Sequence, residues 1–131
     1  MQIRGPSPFG ATNADDTING DALANTICGL SGNDGNDKLY GNDVLYGARG
    51  RDTLNGGKGK DRFFGGRGND KLTGGAGVNR YSGGSGNDSI NARNRSRETV
   101  SCGGGKRDRA TVDRRDRVKG CESVKRAKKR R

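Results

Sequence analysis

GARGRDTLN-GGKGKDRFF-GGRGNDKLT-GGAGVNRYS-GGSGNDSIN, residues 47–91, is a single nine-residue unit written five times. With the unit numbered one to nine, glycine fills 14 of the 15 places at positions one, two and four, Ala48 being the exception. A background frequency of about 7% would put roughly one glycine there. Position six is Asp52, Asp61, Asp70, Asn79 and Asp88, and position eight is always large and apolar: Leu54, Phe63, Leu72, Tyr81 and Ile90. Glycine is needed where the backbone takes positive φ or passes close to another backbone, so G-G-x-G describes a tight, fixed turn. Such a turn leaves carbonyl oxygens free to point at a common centre, with a carboxylate at its end. Carboxylate and carbonyl oxygens without His or Cys suit a hard cation, and calcium takes six to eight such ligands at about 2.3–2.6 Å. The residues after position six read as a short strand whose middle side chain points inward. One inward side chain per unit cannot make a core alone, but stacked coils can, because each position eight then lies over its counterparts.

At these residues the sequence resembles the RTX, or hemolysin-type, calcium-binding repeat proteins, whose consensus is G-G-x-G-x-D-x-U-x. The resemblance implies an all-β fold, a right-handed parallel β-roll (a β-solenoid) in which two nonapeptides make one coil. Turns two units apart then stack on the same side. It also implies calcium between stacked turns, held by their aspartates and by turn carbonyls. Carried onto this chain, Asp52, Asp70 and Asp88 line one edge and give two sites. Asp61 and Asn79 share the other edge, a weaker site because Asn79 offers an amide oxygen in place of a carboxylate. The turn carbonyls implied as ligands are those of Gly47, Gly50, Gly65, Gly68, Gly83 and Gly86.

Upstream the pattern continues but slips. ATNADDTIN (11–19) and GDALANTIC (20–28) keep the frame, with Asp16 and Asn25 at position six and Ile18 and Ile27 at position eight, although most glycines are gone. In GLSGNDGNDKLYGNDVLY (29–46) the step from Ile27 to Leu39 is twelve residues and that from Leu39 to Leu45 is six, so the phase recovers after two coil edges. Asp37 is then expected to stack near Asp52, and Asp43 near Asp61. Both are candidate calcium ligands, and Asp34 a lesser one; the alternative is a shortened, metal-free coil.

Composition bounds the rest. At 131 residues there is room for one domain, and 27% hydrophobic content with no Trp is too little for an ordinary globular core. With 25 Gly and 31% charged residues the chain has the composition of a disordered one, and only the repeat argues otherwise. Gly-rich chains lose the most backbone entropy on folding, so a coil of this kind is expected to fold when calcium arrives. Residues 1–91 hold ten basic and ten acidic residues, whereas residues 92–131 hold 16 and five, so the last forty account for the whole net charge of +11. A neutral repeat region departs from the acidic stretches usual in the family. Arg49, Arg51, Lys58, Lys60, Arg62, Arg67 and Lys71 fall at positions three, five and seven, which face solvent in a roll. They would lower calcium affinity modestly through space.

From Thr99, TVSCGGGKRDRATVDRRDRVKGCESV keeps Asp108 and Asp116 with Ala110 and Val118 two residues on, which reads as degenerate capping repeats. Lys106 stands where the third glycine would be, which argues against a metal site there. This Cys-bracketed segment is similar to the C-terminal ends of secreted actinobacterial members of the family. Its R-D-R repeats read either as a salt-bridged, solvated cap or as an anion-binding face. Cys102 and Cys121 bracket the cap and suit a disulfide contributing about 3 kcal/mol, whereas Cys28 has no obvious partner. With no His and no C-x-x-C, zinc is not indicated. The chain thus divides into an N-terminal segment (1–10), degenerate repeats (11–46), regular repeats (47–91), degenerate capping repeats (92–124) and a basic disordered tail (125–131).

A disulfide and calcium together point to an extracellular, secreted setting, although MQIRGPSPFG has no apolar stretch of a secretory signal peptide. No apolar run approaches the roughly 20 residues of a membrane span. The tail, KRAKKRR, is six basic residues in seven. It reads as solvated chain, as a contact for anionic surfaces or polyanions, or as a nucleic-acid contact without aromatic residues for base stacking. Catalysis has little support: without His there is no ordinary general base near neutral pH and no Ser/His or Cys/His pair, and the repeat already accounts for the paired carboxylates. No small-molecule substrate is indicated. The chain reads as a non-enzymatic calcium-binding β-roll, with a basic polyanion- or surface-binding protein using the roll as a rigid spacer as the alternative.

Overall fold

In the structure, a computed structural model, the described residues are 8–10 and 26–28, for which only the backbone is considered, and 42–128. The nine-residue period becomes twelve short strands: β1 (Pro8–Gly10), β2 (Thr26–Cys28), β3 (Val44–Tyr46), β4 (Thr53–Asn55), β5 (Arg62–Arg67), β6 (Lys71–Thr73), β7 (Arg80–Ser85), β8 (Ser89–Asn91), β9 (Thr99–Gly104), β10 (Arg109–Val112), β11 (Arg117–Lys119) and β12 (Ser123–Arg126). From β3 onward, alternate strands go to alternate sheets. One sheet runs β1-β2-β3-β5-β7-β9-β11 and the other β4-β6-β8-β10-β12, and every pairing is parallel. Among the described residues there is no helix, and so none long and apolar enough to cross a membrane.

The register shows the coil length. Pro8, Thr26, Val44, Arg62 and Arg80 lie opposite one another in steps of 18 residues, followed by Thr99 after 19 and Arg117 after 18. In the second sheet Thr53, Lys71 and Ser89 step by 18, Arg109 follows after 20 and Ser123 after 14. The architecture is therefore the parallel β-roll that the resemblance implied, two units to the coil. Ile27 pairs with Leu45, so the slipped spacing of 29–46 does return to phase. Two boundaries shift. Phe9 pairs with Ile27, which puts a strand of the roll inside the segment set apart as 1–10. At the other end β12 includes Lys125 and Arg126, paired with Thr111 and Val112, so the first two residues assigned to a tail are sheet residues. Residues 129–131 lie outside the described residues.

Parallel stacking at fixed register puts like over like. Leu45, Phe63, Tyr81 and Val100 form one buried column and Leu54, Leu72, Ile90 and Ala110 the facing one. Within the first, the rings of Phe63 and Tyr81 stack at 5.0 Å. Toward the C-terminus position one also turns apolar, and Ala92, Cys102 and Val112 join the core where earlier coils carry glycine. Cys102 is joined to Cys121, as the spacing suggested. Position nine faces outward, where Tyr46 stacks on Phe64 at 4.8 Å and the Arg62 guanidinium lies 5.7 Å from the Phe64 ring centre.

Candidate metal centre

Position six is where the repeat does something that a bare hydrophobic solenoid would not. Its side chains point into the roll: Asp43, Asp52, Asp61, Asp70, Asn79 and Asp88 are all at most 2% exposed. Asp61, Asp70, Asn79 and Asp88 are each bonded to the coil before and the coil after. Asp70 Oδ1 accepts the backbone N–H of Asp52 at 2.9 Å, and the Asp70 N–H in turn donates to Asp88 Oδ1 at 2.9 Å. On the other edge Asp61 Oδ1 accepts the Asp43 N–H at 2.9 Å, and Asn79 Oδ1 accepts the Asp61 N–H at 2.8 Å. The two groupings are those proposed from sequence: Asp52, Asp70 and Asp88 together, and Asp43, Asp61 and Asn79 together. Asp34 and Asp37 lie outside the described residues, as does the side chain of Cys28.

The ladders run on past the regular repeats. The Asn79 N–H donates to Glu98 Oε1 at 3.0 Å and the Glu98 N–H to Asp116 Oδ1 at 2.9 Å. On the second edge the Asp88 N–H donates to Asp108 Oδ1 at 2.7 Å and the Asp108 N–H to Glu122 Oε2 at 2.8 Å. Glu98 and Glu122 were missed in sequence because the coil steps there are 19 and 14 residues. The signal that finds them is the offset: each lies two residues before an apolar residue, Val100 and Val124, as Asp61 lies before Phe63. Position five adds a shallower ladder, in which Asn69 Oδ1 accepts the Asn87 N–H at 2.8 Å and Asn42 Oδ1 that of Lys60 at 2.8 Å.

Glycine makes this arrangement possible in two ways. A Cβ at Gly83, in position one, would lie 2.5 Å from both Asp88 Oδ2 and the Cys102 carbonyl oxygen. Gly68, in position four, has φ of +131°, which a side chain rarely adopts. The carbonyl oxygens singled out from sequence point along the stack: Gly50 O at Gly68 and Gly68 O at Gly86, Gly65 O back at Gly47 and Gly83 O back at Gly65.

Each ladder bond uses only one carboxylate oxygen. The Oδ2 atoms of Asp61, Asp70, Asp88 and Asp108 are buried without a hydrogen-bond partner. Leaving charged oxygens this way is costly, and the ionisation reflects it. Burial, reinforced by the neighbouring charges of Asp43 and Glu98, pushes the Asp61 carboxyl up to about 7. Burial pushes Asp88 up to about 6, with Asp70 and Asp108 adding to the effect, and raises Asp70 as well. A cation between the turns would reverse this balance. Among the described residues no three acidic, His or Cys side chains converge on one point. A cation here would take carboxylate oxygens from stacked turns and its remaining oxygens from the backbone. An all-oxygen donor set with orphaned buried carboxylate oxygens fits calcium and not a soft metal.

Residues 30–54, 39–72 and 55–90 match the family model described as RTX calcium-binding nonapeptide repeat, a model of four repeat copies. No curated protein and no solved structure matches the chain. The matched span covers the regular repeats and both ladders up to Asp88. Residues 30–90 therefore carry RTX calcium-binding nonapeptide repeats, and the fold they build is a calcium-binding β-roll.

Proposed function

We propose that the chain is a non-enzymatic calcium-binding module of the extracellular environment whose regular coils fold as calcium binds. The observation that carries this reading is the set of orphaned Oδ2 atoms on Asp61, Asp70 and Asp88. In the fold without a cation these buried carboxylates repel one another and lack partners, so the closed roll is poorly favoured. Asp43, Asp52, Asp61, Asp70, Asn79 and Asp88, with the turn carbonyls, would hold the ions, which supply positive charge where the ladders concentrate negative charge. The Cys102–Cys121 disulfide supports an oxidising setting, where calcium is also plentiful. The absence of His and the use of the buried acids in ladders favour binding over catalysis. Far-ultraviolet circular dichroism tests the reading. The chain should pass from largely disordered in excess chelator to β-rich as calcium reaches roughly the millimolar regime of extracellular modules. A chain fully β-rich in chelator and unmoved by calcium overturns it.

A second reading is favoured by one feature. The turns at 93–96 and 113–115 and strand β12 gather Arg93, Arg95, Arg114, Arg115, Lys125 and Arg126 around a groove of about 1140 Å³. This concentration of positive charge suits an anionic polymer, and it rests on folded elements more than on the last residues of the chain. Retention on heparin that falls on Arg114→Ser with Arg115→Ser, with a shallower salt dependence, supports it. Unchanged retention sinks it.

A further inference from the structure

The turn over residues 93–98, RNRSRE, contains no glycine, and counted with Ala92 before it is one residue longer than GGAGVN at 74–79, on which it stacks. Asn94 shapes it. Its Oδ1 accepts the Ser96 N–H at 2.8 Å and its own N–H donates to Asp113 Oδ2 at 2.8 Å. With the oxygen so engaged, the amide nitrogen faces the preceding turn. There Nδ2 lies 2.6 Å from Gly75 O, 2.9 Å from Gly77 O and 2.8 Å from Glu98 Oε1. Three oxygens from two stacked turns, two carbonyls and a carboxylate, thus converge on one nitrogen whose two protons they share. This is a cation-type donor set with a polar N–H₂ group at its centre.

The contrast with the regular coils is in the carboxylate. Both oxygens of Glu98 are hydrogen-bonded: Oε1 accepts from the Asn79 N–H and from Asn94, and Oε2 accepts the Tyr81 hydroxyl at 3.2 Å. Asp61, Asp70 and Asp88 each leave one oxygen without a partner. We propose that the Asn94 amide occupies the place a cation takes between regular stacked turns, making the junction of turns 74–79 and 93–98 a metal-independent clasp that keeps the C-terminal coils closed without calcium. The proposal rests on the calcium reading of the regular turns for the position it compares, but the clasp itself needs no metal. Asn94→Asp would set a fourth oxygen against the other three and open the junction, unless a cation enters. Asn94→Ala would remove the clasp and offer a cation nothing in its place.

Native-state hydrogen exchange on the full, disulfide-intact chain tests this at the strand amides of β9 and β10. In excess chelator the unmodified chain should protect these amides while those of β4 to β6 exchange freely. Asn94→Ala and Asn94→Asp should each lower β9 and β10 protection by about tenfold or more in chelator. Calcium should restore it for Asn94→Asp and not for Asn94→Ala. Unprotected β9 and β10 in the unmodified chain under chelator, or an Asn94→Ala chain with unchanged protection, overturns the clasp. Restoration of both variants alike overturns the assignment of the amide to a cation's place. If β4 to β6 ignore calcium while Asn94→Ala still opens β9, the calcium reading fails and the clasp stands.

Discussion

Asp70 sits mid-ladder, with Asp52 one coil before it and Asp88 one coil after, so its replacement separates two functions of the same side chain. Asp70→Ala removes the oxygen that accepts the buried Asp52 N–H at 2.9 Å. Leaving a buried donor without that acceptor costs about 1–3 kcal/mol. For a body of this size the corresponding fall in melting temperature is roughly 5–20 °C. Asp70→Asn keeps an oxygen in place, as Asn79 does for the Asp61 N–H at 2.8 Å. A neutral acceptor makes a bond about half as strong as an ionised one, so in saturating calcium Asn should lose about 1 kcal/mol. Calcium itself should not distinguish them so kindly: both substitutions remove a carboxylate from the two turn junctions that flank Asp70. The midpoint of a calcium titration should therefore rise for both, and by more than for Asp61→Ala, whose next neighbour Asn79 is already uncharged. The assay is a thermal melt in saturating calcium beside a circular-dichroism titration at 25 °C. Equal melting temperatures for Asn and Ala would refute the ladder bond as a source of stability. A calcium midpoint unmoved by either would refute Asp70 as a ligand.

Acid should substitute in part for calcium. The folded-state values of Asp61, about 7, and Asp88, about 6, lie above the ordinary 3.8, so the metal-free roll binds these protons more tightly than the unfolded chain. The stability they contribute is full below about pH 4 and lost as pH rises through 6 to 7. In chelator and moderate salt, β-structure should grow from pH 7.5 to 4.5, and a chain less ordered at 4.5 would refute this. Reducing the Cys102–Cys121 bond, which spans 19 residues, should lower calcium-saturated stability by about 3 kcal/mol, read as a lower melting temperature with a reductant present. Phe63→Ala, a 1% exposed ring stacked on Tyr81, should cost about 3–5 kcal/mol. The outward Phe64→Ala should cost under about 1 kcal/mol, and similar losses at the two positions in urea titrations would contradict the inward and outward assignment.

What could be read in the sequence follows from what a short repeat constrains. A strand and a turn in every nine residues leave one inward position, so Leu54, Phe63, Leu72, Tyr81 and Ile90 named the core before any coordinates did. The coil of two units came from the family resemblance, and the pairing of Leu45 with Phe63 and of Phe63 with Tyr81 agrees with it. Position six was legible as a residue type but not as a structural part. That its Oδ1 would hold the N–H of the coil before it is a property of stacking, and no local pattern states it. Glu98 and Glu122 escaped because insertions and a deletion moved them off the period while a longer side chain kept their reach. Asn94 escaped for a different reason: its partners Gly75, Gly77 and Glu98 come from two turns, and its orientation is set by Ser96. Phe9 had one cue, its 18-residue step to Ile27, in a stretch that keeps only Gly5 of the repeat's glycines.

The ladders pose one electrostatic problem along the roll and the chain answers it differently at its two ends. From Asp61 to Asp116 the stacked turns bury a carboxylate at every step but Asn79, and one of its oxygens accepts a backbone N–H. The other needs positive charge or a proton donor. In the regular coils the glycines at positions one, two and four leave room and carbonyl oxygens around it, which is what a calcium ion requires. On the edge that runs through Glu98 and Asp116 that room is filled. Ala92, Cys102 and Val112 take the place of glycine inside the roll, and Tyr81, Asn94 and the backbone N–H groups of Asn79, Glu98 and Asp113 supply protons to Glu98 and Asp116. Arg126 closes the last turn by donating to the carbonyls of Asp113, Arg114 and Asp116. On the edge of Glu98 and Asp116 the loss of glycine is therefore a change of counter-charge, from an ion drawn from solution to groups carried by the chain, whereas Asp108 on the other edge, after Gly103 and Gly105, keeps an orphaned Oδ2. On the clasp proposed above, the roll has a preformed end on which each calcium-dependent coil can be laid in register.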